Sequence, residues 1–274
     1  MQLWEEADYG NKIIVTSNNE LVYYEQTSDL HEVVAHGVAL DIHRYLRDIE
    51  TKNANNGTVD IGTFVHSVSA ATTKGKEADE RFRAIKAFSN GKETEVTTVV
   101  IEVACVQKFI SHDGTGLLEK CERWVDENKV PVVVLVKLYG YGRDKAPGML
   151  ACLMDNTKHI YEAIGYRAID IEDETYFDGL DGIEITRVGD PERQMVLKIN
   201  GHLLLGVGAD NPQEQLETLI EAYEANGDDD WINCRQKEAI QATLNWVKAQ
   251  TEIDLRGLYV SFIQYYRQHQ ENKK

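Results

Sequence analysis

The chain is expected to fold as an α/β protein, a mixed β-sheet flanked by helices with a helical C-terminal region. Two apolar runs, Val96-Thr-Thr-Val-Val-Ile-Glu-Val-Ala104 and Pro131-Val-Val-Val-Leu-Val136, are of the β-branched kind that sits in a sheet covered on both faces. Between them Leu117, Leu118, Cys121, Trp124 and Val125 recur at helical spacing, which predicts a helix over 115–128. A strand, helix, strand order implies a right-handed crossover between parallel neighbours.

The remaining elements follow in chain order. Lys12-Ile-Ile-Val-Thr16 and Glu20-Leu-Val-Tyr-Tyr24 flank the turn-forming Ser17-Asn-Asn19, so an N-terminal hairpin is expected. Leu30, Val33, Val34, Val38, Ile42, Tyr45 and Leu46 predict an amphipathic helix over 29–47, capped by Ser28 or Asp29. Residues 53–57 are a polar loop, and the alternation from Thr58 to Ser67 predicts a strand. The charge-rich stretch 72–90 reads as an exposed connection. Two more strands are expected at 182–188 and 194–207, then helices near 213–225, 236–248 and 254–267. The expected division is therefore a core over 1–208, including the hairpin, and a helical extension over 209–274 packed on it.

A length of 274 residues, 42% of them hydrophobic, suffices for a substantial buried core. No apolar run approaches the roughly 20 residues that cross a bilayer, and the acidic start Met1-Gln-Leu-Trp-Glu-Glu6 is unlike a signal peptide. Cys105, Cys121, Cys152 and Cys234 lack the close pairing of a structural zinc site and read as reduced core thiols. A soluble intracellular protein, cytoplasmic or nuclear and not bound to membrane, is the expectation.

The chemistry centres on Glu102. A carboxylate inside Val100-Ile-Glu-Val-Ala104 would carry a costly buried charge, which a bound metal would relieve. Asp79 could supply a second carboxylate if the intervening chain folds back as a hairpin, and the Val103 carbonyl a third oxygen, a donor set suited to a hard divalent cation. Hydrolysis of a phosphodiester needs such a cation, together with a lysine that steadies developing negative charge. Ala104 stands two residues beyond Glu102, where that lysine is usual. Lys137, ending the neighbouring strand, is the expected replacement.

These segments resemble the PD-(D/E)xK nuclease superfamily, the restriction-endonuclease-like fold, and within it a branch of restriction endonucleases found in cyanobacteria and fungi. The likeness lies in Lys74-Gly-Lys-Glu-Ala-Asp79, Thr98-Val-Val-Ile-Glu-Val-Ala-Cys-Val-Gln107, Leu118-Glu-Lys-Cys-Glu-Arg-Trp124 and Val132-Val-Val-Leu-Val-Lys137. It implies that Glu32, Asp79, Glu102, Gln107 and Lys137 are catalytic, and that Asp79, Glu102 and Val103 hold Mg2+ or Mn2+. It also implies a DNA or RNA substrate. Ala78 and Ala104 depart from the family pattern.

Other readings of these residues stay open. Glu32 completes an Asp29-x-x-Glu32 capping box, Gln107 could simply end its strand, and Lys137 could be an exposed strand-end charge. Asp60, in Val-Asp-Ile-Gly, is the second choice for the role given to Asp79. His31 and His36 are five residues apart, so they diverge on a helix and do not form the zinc-protease pair, which needs a spacing of four.

A net charge of -17 opposes nucleic-acid binding unless it is unevenly distributed. It is uneven: residues 72–158 carry 14 Lys and Arg against 13 Asp and Glu, whereas 170–230 carry 3 against 17. The acidic 170–230 region reads as a solvated face, a surface for a protein partner, or a mimic that occupies a basic groove on another protein. The alternative to a nuclease is accordingly a catalytically inactive protein of the same fold, acting as an acidic protein-binding or effector module.

Overall fold

The computed structural model describes residues 12–15, 21–24, 29–54, 65–67, 78–89, 92–111, 114–140, 147–167, 180, 183–185, 187–189, 192, 194–204 and 250–271. The N-terminal hairpin forms as expected, β1 (Lys12–Val15) antiparallel to β2 (Leu21–Tyr24). It is followed by α1 (Asp29–Ala54). A seven-stranded mixed sheet then runs in chain order, from β3 (Val65–Ser67), β4 (Glu80–Ser89) and β5 (Lys92–Ala104) to β6 (Val132–Tyr139), β7 (Gly148–Asp155), β8 (Ile160–Arg167) and β9 (Arg187–Gly189). Strands β3, β4 and β5 form an antiparallel meander. The helix α2 (Leu117–Asn128) crosses over to β6, which pairs parallel with β5. The mixed α/β class expected from the sequence is therefore the observed one.

Burial on both sheet faces accounts for the apolar runs. Val99, Ile101 and Val103 of β5, with Val132, Val134 and Val136 of β6, pack on one face with Leu30, Val34, Val38 and Ile42 of α1. Val100 and Ala104 of β5, with Val133 and Leu135 of β6, pack on the other with Leu117, Cys121, Trp124 and Val125 of α2. Alternate residues enter opposite cores, and burying each large aliphatic side chain contributes roughly 1.5–3 kcal/mol. Three of the cysteines, Cys105, Cys121 and Cys152, are buried; Cys234 lies outside the described residues.

The C-terminal chain returns to the α1 face. There β10 (Val196–Asn200) pairs antiparallel with β11 (Gln250–Asp254), and α3 (Gly201–Leu204) is a short turn of helix. The last helix, α4 (Leu255–Glu271), packs on α1. Asp254 caps it, its Oδ1 accepting from the backbone N–H groups of Arg256 and Gly257 at 3.0 and 3.3 Å. Gly37 permits the close approach, since a Cβ there would lie 2.5 Å from Leu258 Cδ2.

Four expectations are corrected. The stretch read as an exposed connection becomes β4 from Glu80 onward, because Phe82 and Ala84 alternate into the core between charged neighbours. Strands β7 and β8 occupy residues that carried no expected strand. The strand expected over 194–207 ends at Asn200, where Gly201 opens α3. Of 182–188, residues 183–185 are not strand and pairing begins at Arg187. Among the described residues no helix is long and apolar enough to cross a membrane. Asp60, the helices expected near 213–225 and 236–248, and the acidic cluster around 228–230 lie outside the described residues.

Candidate active site

The antiparallel pairing of β4 with β5 sets the site. Glu80 lies opposite Ile101, so Asp79, one residue earlier, comes opposite Glu102. The fold-back that this pairing needed is the β4–β5 hairpin. The Val103 backbone N–H donates to Asp79 Oδ2 at 2.6 Å. His31, on the buried face of α1, brings Nε2 to 3.0 Å from the same oxygen and to 2.5 Å from the Val103 carbonyl oxygen. Both side chains are more than nine-tenths buried.

Glu102 is fully buried on the α2 side of β5. The indole Nε1–H of Trp124 donates to its Oε1 at 2.5 Å, and Lys120 Nζ stands 2.5 Å from Oε2. Lys120 and Trp124 are four residues apart on α2, so both reach the same side of the helix. The Lys120 contact is one of charge rather than an aligned hydrogen bond, since Oε2 has no hydrogen-bond partner of good geometry.

The two carboxyl groups are driven apart in acidity. Burial pushes Glu102 up to about 8, outweighing Lys120, while the charge on Asp79 adds to the rise. Burial acts on Asp79 in the same direction, but Lys120, His31 and the Val103 N–H more than offset it and hold Asp79 below the usual carboxylate range. Burial disfavours the Lys120 ammonium, yet Glu102 and Asp79 prevail and raise its pKa. Near neutral pH the cluster therefore rests as an Asp79 carboxylate, a Lys120 ammonium and a Glu102 that retains its proton.

The other expected site residues lie around this cluster. Lys137 is buried opposite Ala104, and its ammonium donates to the Cys105 carbonyl at 2.7 Å and lies 5.8 Å from the centre of the Tyr139 ring. Gln107 donates to the Thr115 carbonyl, bracing the loop before α2. Glu119 holds the same loop by accepting from the Ser111 N–H at 2.9 Å. Glu32 is exposed on α1, one residue beyond His31. His31 and Lys120 are the additions. The signals available for them were weak ones: helical phase with Ala35, Val38 and Ile42 for the burial of His31, and the four-residue spacing to Trp124 for Lys120.

Fold and site together define a mixed α/β protein with a buried His–Asp–Glu–Lys cluster between α1, the β4–β5 pair and α2. No family model and no curated protein matches the chain. Among solved structures it is similar to the Legionella pneumophila effector protein RavZ, over 81% of this chain and 65% of that one, with 10% identity and a TM-score of 0.25. The chain thus spans under two thirds of that protein's length, and a likeness of this strength carries no argument about fold or function.

Proposed function

We propose that the protein is a metal-dependent nuclease of restriction-endonuclease-like fold, hydrolysing phosphodiester bonds of DNA or RNA. One observation carries the reading: two buried carboxyl groups, Asp79 just ahead of β4 and Glu102 on the antiparallel β5, lie in one cluster with a single lysine, Lys120, whose ammonium stands 2.5 Å from Glu102 Oε2. The element order supports it. A helix, Asp79, a strand bearing Glu102 and followed by Gln107, a helix bearing Trp124 and a strand carrying Lys137 follow one another in the order the resemblance implies.

The residues fit a hard divalent cation by their chemistry. Asp79, Glu102 and the Val103 carbonyl are oxygen donors, and magnesium or manganese uses one or two carboxylates while keeping several waters. Glu102 Oε2 lacks an aligned hydrogen bond, and its carboxyl group holds a proton that a nearby cation would expel. Among the described residues no three His, Cys, Asp or Glu side chains converge as a ready metal cage. Asp79 is instead turned to His31 and Val103, and Glu102 to Trp124 and Lys120. A cation bound there would polarise the phosphate and lower the pKa of an attacking water.

The chain's own groups have separate tasks. Lys120, whose ammonium lies 2.5 Å from the fully buried Glu102 Oε2, is the positive charge at hand to steady a phosphate oxygen as negative charge develops. Trp124 fixes the orientation of Glu102, and the Val103 N–H that of Asp79. Gln107 and Glu119 hold the loop from which α2 starts, and so set where Lys120 points.

The test is cleavage of single- and double-stranded DNA and RNA with Mg2+ or Mn2+. Asp79→Ala and Glu102→Ala should each abolish cleavage, and Lys120→Ala should lower the rate about 100-fold or more. Unchanged cleavage in both carboxylate variants would overturn the reading. The complete burial of Glu102 favours a second reading, a catalytically silent protein whose acidic 170–230 region binds a partner. It predicts no cleavage under any of these conditions.

A further inference from the structure

We propose that His31 is itself a ligand of the site's cation, and that the site therefore prefers a borderline divalent ion of the manganese class over magnesium. This inference rests on the nuclease reading above, whose oxygen donors it shares.

The ring nitrogen His31 Nε2 lies 3.0 Å from Asp79 Oδ2 and 2.5 Å from the Val103 carbonyl oxygen. These are two of the oxygens assigned to the cation on other grounds. In an octahedral site with bonds of about 2.1 Å, ligand atoms sharing an edge lie about 3 Å apart. Nε2 and Oδ2 already stand at that spacing. A carbonyl oxygen can only accept, so Nε2 carries a hydrogen here and a hydrogen bond closes the gap that the cation would fill. On loading, that hydrogen moves to Nδ1 if the ring is neutral, or leaves for solvent while Nδ1 keeps its own if the ring is an imidazolium, and the lone pair freed on Nε2 becomes the donor.

The surroundings hold His31 against these oxygens. It is buried on α1 among Leu30, Val34 and Ala35, which pack against β5, whereas Glu32 is exposed. The helix thus presents an imidazole to the site and a carboxylate to solvent. Imidazole suits manganese and the later divalent metals, whereas magnesium favours oxygen donors throughout.

The experiment is Mn2+ and Mg2+ titration calorimetry on the full chain, with pulsed electron paramagnetic resonance of the Mn2+-loaded protein. Wild type should show the nitrogen coupling of a directly bound histidine. It should also bind Mn2+ at least about tenfold more tightly than Mg2+. In His31→Gln the coupling should vanish and the Mn2+ preference shrink to a few-fold, with the fold verified by circular dichroism.

Binding of Mn2+ that is lost in Glu102→Ala yet shows no nitrogen coupling in wild type would overturn the role of His31 while leaving the nuclease reading intact. Absence of Mn2+ and Mg2+ binding in wild type would instead overturn both. The wild-type spectrum decides the matter even if His31→Gln fails to fold.

Discussion

Glu102→Gln isolates the cost of the buried carboxyl group. Burial raises Glu102 from an ordinary 4.5 to about 8, so the folded state binds a proton there that the unfolded chain has released. With a raised folded pKa, the stabilisation is fully present below about pH 4.5 and is lost as the pH rises toward 8. Linkage sets its size: with each pKa step equivalent to 1.36 kcal/mol, the loss between pH 5 and pH 8 is about 3–4 kcal/mol. Asp79, held low, loses its contribution only in acid below its usual range, and Lys120, held high, only in strong alkali, so neither overlaps this window. Glutamine keeps an oxygen for Trp124 and Lys120 but cannot titrate. Urea unfolding in excess chelator at pH 5, 6.5 and 8 should show wild type losing about 3–4 kcal/mol relative to Glu102→Gln. Parallel pH profiles for the two proteins would refute the argument that burial dominates at Glu102.

Trp124→Phe keeps the ring in the core but removes the N–H donated to Glu102; it should cost about 1–3 kcal/mol in urea unfolding at pH 8. Gly116→Ala should cost a similar amount, about 1–3 kcal/mol, in thermal unfolding, since a Cβ there would lie 2.7 Å from the Ser111 backbone nitrogen and would meet Glu119 Oε2. Val134→Ala, at a fully buried position between α1 and the sheet, should lose about 2–4 kcal/mol by chemical denaturation. Asp254→Ala removes the cap of α4 and should lower stability by about 1 kcal/mol, read from the denaturation midpoint.

Elements with a strong period or strong β-branching were legible in the sequence: α1, β5, α2 and β6 fall where the residues put them. Strand β7 escaped because Gly148-Met-Leu-Ala-Cys-Leu-Met-Asp155 is built mainly of Met, Leu, Ala and Cys, whose β preference is weak and whose strand form is imposed by pairing with β6 and β8. Strand β8, Ile160–Arg167, does carry the strand-favouring Ile160, Tyr161, Ile164 and Tyr166, broken by Gly165. Strand β4 escaped because its charges suggest solvent, although Arg81 is 1% exposed. Asp79 and Glu102 were legible as a pair through the hairpin that joins them. His31 was not, since it was weighed against His36 on its own helix, whereas its contacts are with Asp79, 48 positions away in the chain, and with Val103, 72 away.

The placement of the cation follows from geometry that a motif does not record. Residues two apart on a strand share a face, so Ala104 lies on the face of Glu102, and Lys137 sits beside Ala104 in register on β6. That proximity made Lys137 the natural candidate, yet its ammonium is engaged by the Cys105 carbonyl just beyond the strand end. The α2 helix covers this same face through Leu117, Cys121, Trp124 and Val125. A lysine one turn before the docked Trp124 therefore reaches Glu102 from above the sheet. The small side chain of Ala104 keeps that space open. Lys120 and Trp124 arrive together when α2 docks, so the packing that buries Glu102 also delivers the cation that offsets part of the cost of charging it.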